Sequence, residues 1–192
     1  MTTVRTPATD KVEPPWVGEV LRFWFDEVGD ARWFASSASL DAQIQERFRP
    51  LHERVVAEGG SGATTQRELL AAVLVLDQFS RHLFRDSPRA YAADHLACRL
   101  AKLAVEAGFD RDLSARERLF LYMPFQHSEN CEDQAISITL TADLGNDEWM
   151  RYAVAHKDII DRFGRFPHRN SILGRQSSAE EIALLSEPMG SF

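Results

Sequence analysis

The stretch Leu69–Pro88, "LLAAVLVLDQFSRHLFRDSP", carries the clearest secondary-structure signal in the chain. Leu70, Val73 and Leu74 recur at the spacing of one face of an α-helix, which predicts that this face is buried. Just upstream, Thr65-x-x-Glu68 is a capping box, in which each side chain satisfies a backbone N–H group at a helix start. The stretch therefore predicts a buried helix beginning near residue 65.

Two charged residues interrupt the apolar face of this helix. Asp77 falls one turn after Val73, and Arg81 follows one turn later. A lone buried carboxylate is very costly, so we expect Arg81 to be the i,i+4 partner of Asp77. Two interpretations stay open: the pair fixes helix packing, or it belongs to a functional site.

The same helix signals continue along the whole chain, and no segment alternates as a strand would. Apolar periodicity predicts helices over residues 16–28, 40–58, 129–145 and 147–163. Capping boxes at Ser114-x-x-Glu117 and Ser178-x-x-Glu181 predict two more starts, and Ser87-Pro88 predicts a helix that Gly108 ends. We expect an all-α protein of about eight helices stacked as antiparallel hairpins, with residues 1–15 a disordered lead-in and residues 16–192 a single domain.

Composition narrows the classes of function. The net charge of −7 argues against general nucleic-acid binding, and no apolar run approaches the roughly 20 residues needed to span a bilayer. Cys98 and Cys131 have no metal-site or disulfide-framework spacing. Dinucleotide-binding, phosphate-loop and nucleophile-elbow motifs are missing, so no cofactor is expected. The sequence predicts a reduced, cytoplasmic protein.

A second segment, residues 120–134, "FLYMPFQHSENCEDQ", combines a histidine with acids. Pro124 predicts a kink or an end in the preceding helix. His127 followed by Glu129 and Asp133 suits general acid–base work, with either acid orienting the imidazole. These residues also read more simply as a helix break, a cap and acids on a favourable helix dipole. A metal site is disfavoured because no HExxH-like spacing is present.

A third segment, residues 156–175, "HKDIIDRFGRFPHRNSILGR", is basic in an acidic chain, with five Lys or Arg against two Asp. His156 joins the apolar face of its helix, and Phe166, Ile172 and Leu173 should pack against apolar neighbours. The polar candidates in this segment for holding a ligand or moving a proton are Arg165, His168, Arg169 and Asn170. Arginine suits carboxylate or phosphate because its planar fork donates two parallel hydrogen bonds. Equally, these arginines could bond helix carbonyls and the acids at 129–133.

The motifs at 76–90, 122–134 and 156–175 together resemble the bacterial family known as "domain of unknown function 924". The resemblance covers nearly the whole chain from Val20 onward. It implies an all-α, tetratricopeptide-like, right-handed helical array, and it implies no established reaction. The family pattern has Pro-Arg-Asn where this chain has Ser80-Arg81-His82, so Arg81 matches and His82 departs.

We favour a protein that binds or turns over a small anionic molecule in a pocket between helices. His127 and His168 would be the candidate bases, oriented by Glu129 or Asp133, and hydrolysis or lyase-type proton transfer would fit. The residues expected to bind the ligand are Asp77, Arg81, His156, Arg165, Arg169 and Asn170. The alternative is a tetratricopeptide-like protein–protein interaction module. A weaker third hypothesis, nucleic-acid contact through residues 162–175, is opposed by the global charge.

Overall fold

The computed structural model describes residues 12–35, 37–60 and 62–187, and this part of the chain is all-helical. Its eight helices are α1 (Pro15–Arg22, continued by a π-helical turn, Phe23–Val28), α2 (Ala38–Ala57), α3 (α-helical Gln66–Val73, π-helical Leu74–Phe79, α-helical Ser80–Leu83), α4 (Asp94–Glu106), α5 (Ala115–Gln126), α6 (Cys131–Ala142), α7 (Asp147–Phe163) and α8 (Ala179–Leu184). Two 3₁₀ turns, Pro88–Ala90 and Pro167–Arg169, lie in the connections. The expectation of an all-α protein with about eight helices is confirmed.

Helix α3 is the centre of the fold, since it packs against α1, α2, α4 and α5. Its predicted capping box forms, with Thr65 and Glu68 each accepting the other's backbone N–H. Every residue from Leu69 to Ser80 is buried, so the helix is buried on more sides than its predicted stripe. Phe79 packs against aromatic rings of α1 and α2, with ring centroids 4.9–5.9 Å apart. The stretch Leu69–Pro88 thus lies at the centre of the main core.

A smaller apolar cluster docks the basic segment after α7. It consists of Ile159, Ile160, Phe166 and Leu184, with Phe163 packed beside it. Gly164 ends α7 in the left-handed region at φ +67°, which a glycine adopts without strain, and Phe166 then turns into the cluster with no exposed surface. Leu173 was expected to pack likewise, but it is 36% exposed. Phe166 is therefore the main apolar anchor of residues 164–175.

One predicted helix start is wrong, and at Pro124, where the sequence predicted a kink or an end, the helix does not end. Ser87-Pro88 begins only a 3₁₀ turn, because Tyr91 N–H bonds back to Pro88 O, and α4 starts later at Asp94. Pro124 does not end α5, which runs to Gln126. The lost proline N–H costs one bond near the end of the helix, while His127 N–H still reaches Met123 O at 3.0 Å.

The remaining expectations concern the lead-in, the bounds of one helix, the arrangement of the helices and membrane spanning. Residues 1–11 of the predicted lead-in lie outside the described ranges, as do residues 36, 61 and 188–192. The predicted helix 129–145 is the shorter α6, capped by the Asn130 side chain. The tetratricopeptide-like arrangement and the single-domain boundary stay predictions. No helix within the described ranges combines the length and apolarity needed to cross a membrane.

Candidate functional site

A cleft of about 600 Å³ opens where three parts of the chain meet. One wall is α4 with the turn before it, the second is the junction between α5 and α6, and the third is the basic segment after α7. The predicted site residues that line it are His127, Glu129, Asp133 and Arg169. Residues that local patterns did not single out also line it: Tyr91, Asp94, His95, Cys98, Arg99 and Lys102.

The innermost interaction at the cleft joins His127 to Asp77. Nδ1 of His127 lies 2.7 Å from Oδ1 of Asp77, whose side chain has no exposed surface. Gln78 Nε2 donates to the other carboxylate oxygen at 2.5 Å, and Arg81 Nη1 lies 3.2 Å from Oδ1. The expected Asp77–Arg81 pair therefore exists, but a residue fifty positions away makes the shorter contact.

These contacts determine the protonation states of the pair. Burial alone would raise the pKa of Asp77, but the positive charge of Arg81 and the His127 hydrogen bond outweigh it and hold that pKa well below its usual value. Burial, followed by the charge of Arg81, lowers the pKa of His127 despite the nearby Asp77 carboxylate. At neutral pH the pair is an ionised aspartate beside a neutral imidazole.

Two arginines converge on Asp94, at the first turn of α4. Arg81 donates to both carboxylate oxygens, at 3.1 and 3.2 Å, and Arg169 donates to Oδ2 at 3.2 Å. Arg169 also donates to the carbonyl oxygen of His127 at 3.0 Å, and its guanidinium stacks between the rings of Tyr91 and Phe166. Arg169 thus ties the basic segment to both walls of the cleft.

Asp133 forms a second polar network on the α6 side of the cleft. It accepts from Ser128 Oγ at 2.7 Å, pairs with Lys102 at 2.5 Å and lies 3.4 Å from Cys98 Sγ. Burial would raise the pKa of Asp133, but the Lys102 and Ser128 hydrogen bonds lower it below the ordinary value. Asp133 does not contact His127 directly; the expected pairing of these two residues is wrong because Asp77 takes that position.

Glu129, the other acid expected to orient a histidine, binds the basic segment instead. It receives both Arg175 Nη1 at 2.8 Å and Arg175 Nη2 at 3.0 Å, and it accepts from the backbone N–H of Phe166 at 2.8 Å. The sequence left open that the arginines of the basic segment bond the acids at 129–133. Arg175 does so, at Glu129. Glu129 lines the cleft while holding its third wall in place.

The remaining predicted residues are placed around the cleft or away from it. His156 is buried behind His127, with ring centroids 6.1 Å apart, and its Nδ1 lies 2.8 Å from Tyr152 O. His168 packs against Phe166, and burial, then the charge of Arg169, lowers its pKa to about 4. Neither histidine lines the cleft.

Arg165 and Asn170 do not line the cleft. Arg165 forms a two-bond pair with Glu181 of α8, at 2.7 and 2.9 Å, and also donates to Gln176 O. Asn170 is buried and donates to Ser177 Oγ at 3.0 Å. Both residues hold the segment after α7 against α8. Of the six residues predicted to bind a ligand, Arg169 lines the cleft, Asp77 and Arg81 belong to the network joined to it, His156 packs beside His127, and Arg165 and Asn170 lie at the junction with α8.

His82 also lies outside the cleft. Its Nδ1 is 2.7 Å from Oδ1 of Asp41, and Arg85 donates to both oxygens of the same carboxylate. The His82–Asp41 pair thus has the same separation as the His127–Asp77 pair, but it lies away from the cleft. Within the described ranges, no group of three or more His, Cys, Asp or Glu side chains is arranged to hold a metal ion.

Comparison with known proteins gives the chain its family. Residues 20–189 match the family model described as "Bacterial protein of unknown function (DUF924)". The chain belongs to this family. The DUF924 fold is also found in a solved structure of a protein of unknown function from Agrobacterium tumefaciens. That chain is 36% identical, with a TM-score of 0.85 over 90% of this chain and 97% of the other. Comparison with curated proteins returns no similar sequence.

The three sequence motifs each contribute at least one residue to the polar network at the cleft. Asp77 and Arg81 come from the first motif, His127 from the second and Arg169 from the third, and all four lie within one hydrogen-bond network. Asp94 joins the arginines of two motifs yet belongs to none of them. The available sequence signal for it was weak: an acid in the first turn of a helix is common for dipole reasons alone.

Proposed function

We propose that the cleft binds a small anionic molecule and that His127 accepts a proton there, from the bound molecule or from a water beside it. One observation carries the proposal: the 2.7 Å contact between His127 and the wholly buried Asp77, at the wall of a 600 Å³ cleft. A cleft of this volume is in the range of small-molecule sites. A partly exposed histidine oriented by a buried carboxylate is an arrangement used in general acid–base catalysis.

The hydrogen bond assigns the imidazole tautomer. An ionised carboxylate can only accept hydrogen bonds, so Nδ1 of His127 carries the hydrogen and donates it to Asp77. In the neutral ring Nε2 then has a free lone pair, and 13% of the His127 side chain is exposed. The lowered pKa keeps that lone pair available at neutral pH. Accepting a proton from water or from carbon is the chemistry shared by hydrolases and lyases.

The surrounding charges favour an anionic ligand. The carboxylates at the cleft are each paired with a cation: Asp94 with Arg81 and Arg169, Asp133 with Lys102, and Glu129 with Arg175. The acids are therefore neutralised within the protein and do not repel an incoming anion. Arg169 in addition keeps a buried Nε with no hydrogen-bond partner among the described residues.

A thermal-shift screen of the purified protein against small carboxylates and phosphate esters, with and without a chelator, tests the proposal. A ligand at about 100 times its Kd adds roughly 2.7 kcal/mol, which for a domain of this size raises Tm by roughly 5–10 °C. His127→Asn keeps a donor toward Asp77 and removes Nε2, so the shift should fall to less than half. His82→Asn is the matched control, because it changes the equivalent pair outside the cleft and should leave the shift intact.

Two results would contradict the proposal. One is a shift of equal size in wild type and His127→Asn, which would place the ligand elsewhere. The other is the absence of any shift across the panel, which would leave the cluster as internal cross-linking in an interaction module. A shift that appears only when the chelator is absent would instead indicate that a metal ion takes part in binding.

A further inference from the structure

The cleft differs in chemistry from one end to the other. His95, Cys98, Arg99 and Lys102 follow one another at helical spacing and form the α4 wall. Asp94 and Lys102 are eight positions apart, so at about 1.5 Å per residue they lie about 12 Å apart along the helix axis. The turn at residues 88–92 therefore lies at the Asp94 end of the cleft. The cations Arg99 and Lys102 lie at the opposite end.

The end of the cleft at the 88–92 turn carries apolar surface beside the guanidinium groups of Arg81 and Arg169. Pro88, Ala92 and the ring of Tyr91 line it. Leu173 also lines the cleft and is 36% exposed. Its N–H donates to the carbonyl oxygen of Arg169. The guanidinium of Arg169 lies 4.6 Å from the Tyr91 ring centroid. Leu173 therefore adds an apolar side chain to the wall that Arg169 forms. A hydrocarbon group bound there would bury apolar surface that is now in contact with water.

The opposite end has one cation without an ion pair among the described residues. Lys102 is paired with Asp133, and the carboxylate of Glu132 also acts on its charge. Arg99 donates to the main-chain oxygen of Gly59 and forms no ion pair with any described carboxylate. The charge left for a ligand to neutralise is therefore that of Arg99.

We propose that the ligand is a monocarboxylate with an apolar chain, whose carboxylate binds Arg99 and Lys102 and whose chain reaches Tyr91 and Leu173. The proposal rests on the proposed function, since it names the ligand class of the same cleft. The planar guanidinium of Arg99 matches a carboxylate, whose single negative charge equals the single positive charge of this guanidinium. A phosphate monoester, with about −1.5 to −2 charges at neutral pH, exceeds it.

Calorimetric titration with straight-chain acids tests the class. Each methylene buried adds about 0.8 kcal/mol, or roughly fourfold in Kd, so hexanoate should bind roughly 50-fold tighter than propanoate. Hexyl phosphate should bind at least tenfold more weakly than hexanoate, and hexylamine should not bind. Equal affinities for propanoate and hexanoate, or tighter binding of hexyl phosphate, would overturn the proposal.

Two variants locate the ends of the ligand. Arg99→Gln should weaken propanoate and hexanoate by the same factor, about tenfold. Leu173→Ser should weaken hexanoate severalfold and leave propanoate unchanged. Arg151→Gln, an exposed arginine that does not line the cleft, is the control and should change neither. If Arg99→Gln has no effect on either acid, the assignment of the carboxylate end is wrong.

The same titrations separate this proposal from the proposed function. If no carboxylate binds but another anion from the thermal-shift panel does so in a His127-dependent manner, the ligand class is wrong and the anion site stands. If no anion of either series binds, both proposals are wrong.

Discussion

His127 and Asp77 are fifty positions apart in the chain and share a hydrogen bond of 2.7 Å. Asp77 lies in the π-helical turn Leu74–Phe79 of α3, and His127 is the C-cap residue that follows α5. Such π-helical turns inside α-helices are frequent at functional sites. The contact therefore joins the most buried helix of the core to the wall of the cleft, so that core packing positions the imidazole.

Asp77→Asn should destabilise the protein strongly. The change leaves Arg81 and His127 without their buried carboxylate, and breaking a buried pair costs roughly 3–5 kcal/mol in the free energy of unfolding. Asp41→Asn changes the more exposed His82 pair and should cost about 1 kcal/mol or less. Urea denaturation of both variants measures the difference. Equal losses would show that burial of Asp77 contributes nothing.

Mild acid should destabilise the fold through its buried histidines. Burial, then the charge of Arg89, lowers the pKa of His52 to about 4 in the folded state, against about 6.5 when unfolded. Below pH 6.5 the unfolded chain takes up a proton that the folded chain does not. The stability that neutral His52 contributes is therefore complete above that pH and is lost as pH falls toward 4, with a loss of about 1–2 kcal/mol by pH 5.

His52→Gln isolates this effect. Ser80 Oγ donates to Leu76 O, so His52 Nε2 must donate to Ser80, at 2.8 Å, and a glutamine amide can replace that donor. The fall in unfolding free energy between pH 7.5 and pH 5 should be about 1–2 kcal/mol smaller in the variant. An unchanged fall would mean that His52 does not stay neutral in the folded protein.

The two cysteines should differ in reactivity. Cys131 is exposed, whereas Cys98 is buried, and burial together with the Asp133 carboxylate raises the pKa of its thiol to about 12. A colorimetric disulfide reagent at pH 8 should titrate one thiol rapidly in the native protein and two after unfolding. Cys131→Ser should abolish the rapid phase. A rapid phase that survives in this variant would show that the Cys98 wall of the cleft opens readily.

Arg165→Gln should separate structural from ligand-binding roles in the basic segment. Its bonds to Glu181 and Gln176 O hold the chain that leads into α8. Loss of these bonds should increase hydrogen exchange in residues 176–187 and leave hexanoate affinity unchanged. Weaker hexanoate binding with unchanged exchange would return Arg165 to the ligand site.

Local sequence signals predicted the helices well because helix starts are encoded within four residues. The capping boxes at Thr65, Ser114 and Ser178 all form as expected. Where the prediction failed, the competing interaction was also local but of a different kind: the Ser87-Pro88 signal fits a 3₁₀ turn as well as an α-helix. Pro124 lies near enough to the end of α5 for the helix to continue past it.

The site was less predictable because its partners are distant in sequence. Periodicity identified Asp77 as a buried carboxylate that needs a partner, and it proposed Arg81, which is the nearest candidate along the helix. Periodicity could not predict that Asp77 pairs with His127 or that Arg81 pairs with Asp94. These contacts depend on how α3, α4 and α5 pack. Composition marked the basic segment, but only the fold separates Arg169, at the cleft, from Arg165, at α8.

The protonation state of His127 is the most direct test of the proposal that His127 accepts a proton at the cleft. Nitrogen-15 NMR of the imidazoles at pH 7, with the His127 signals assigned by their loss in His127→Asn, distinguishes the two ring nitrogens. We expect a neutral ring with the hydrogen on Nδ1 and a bare Nε2, whose resonance shifts when a cleft ligand such as hexanoate is added. A ring protonated on Nε2, alone or together with Nδ1, would contradict the proposal.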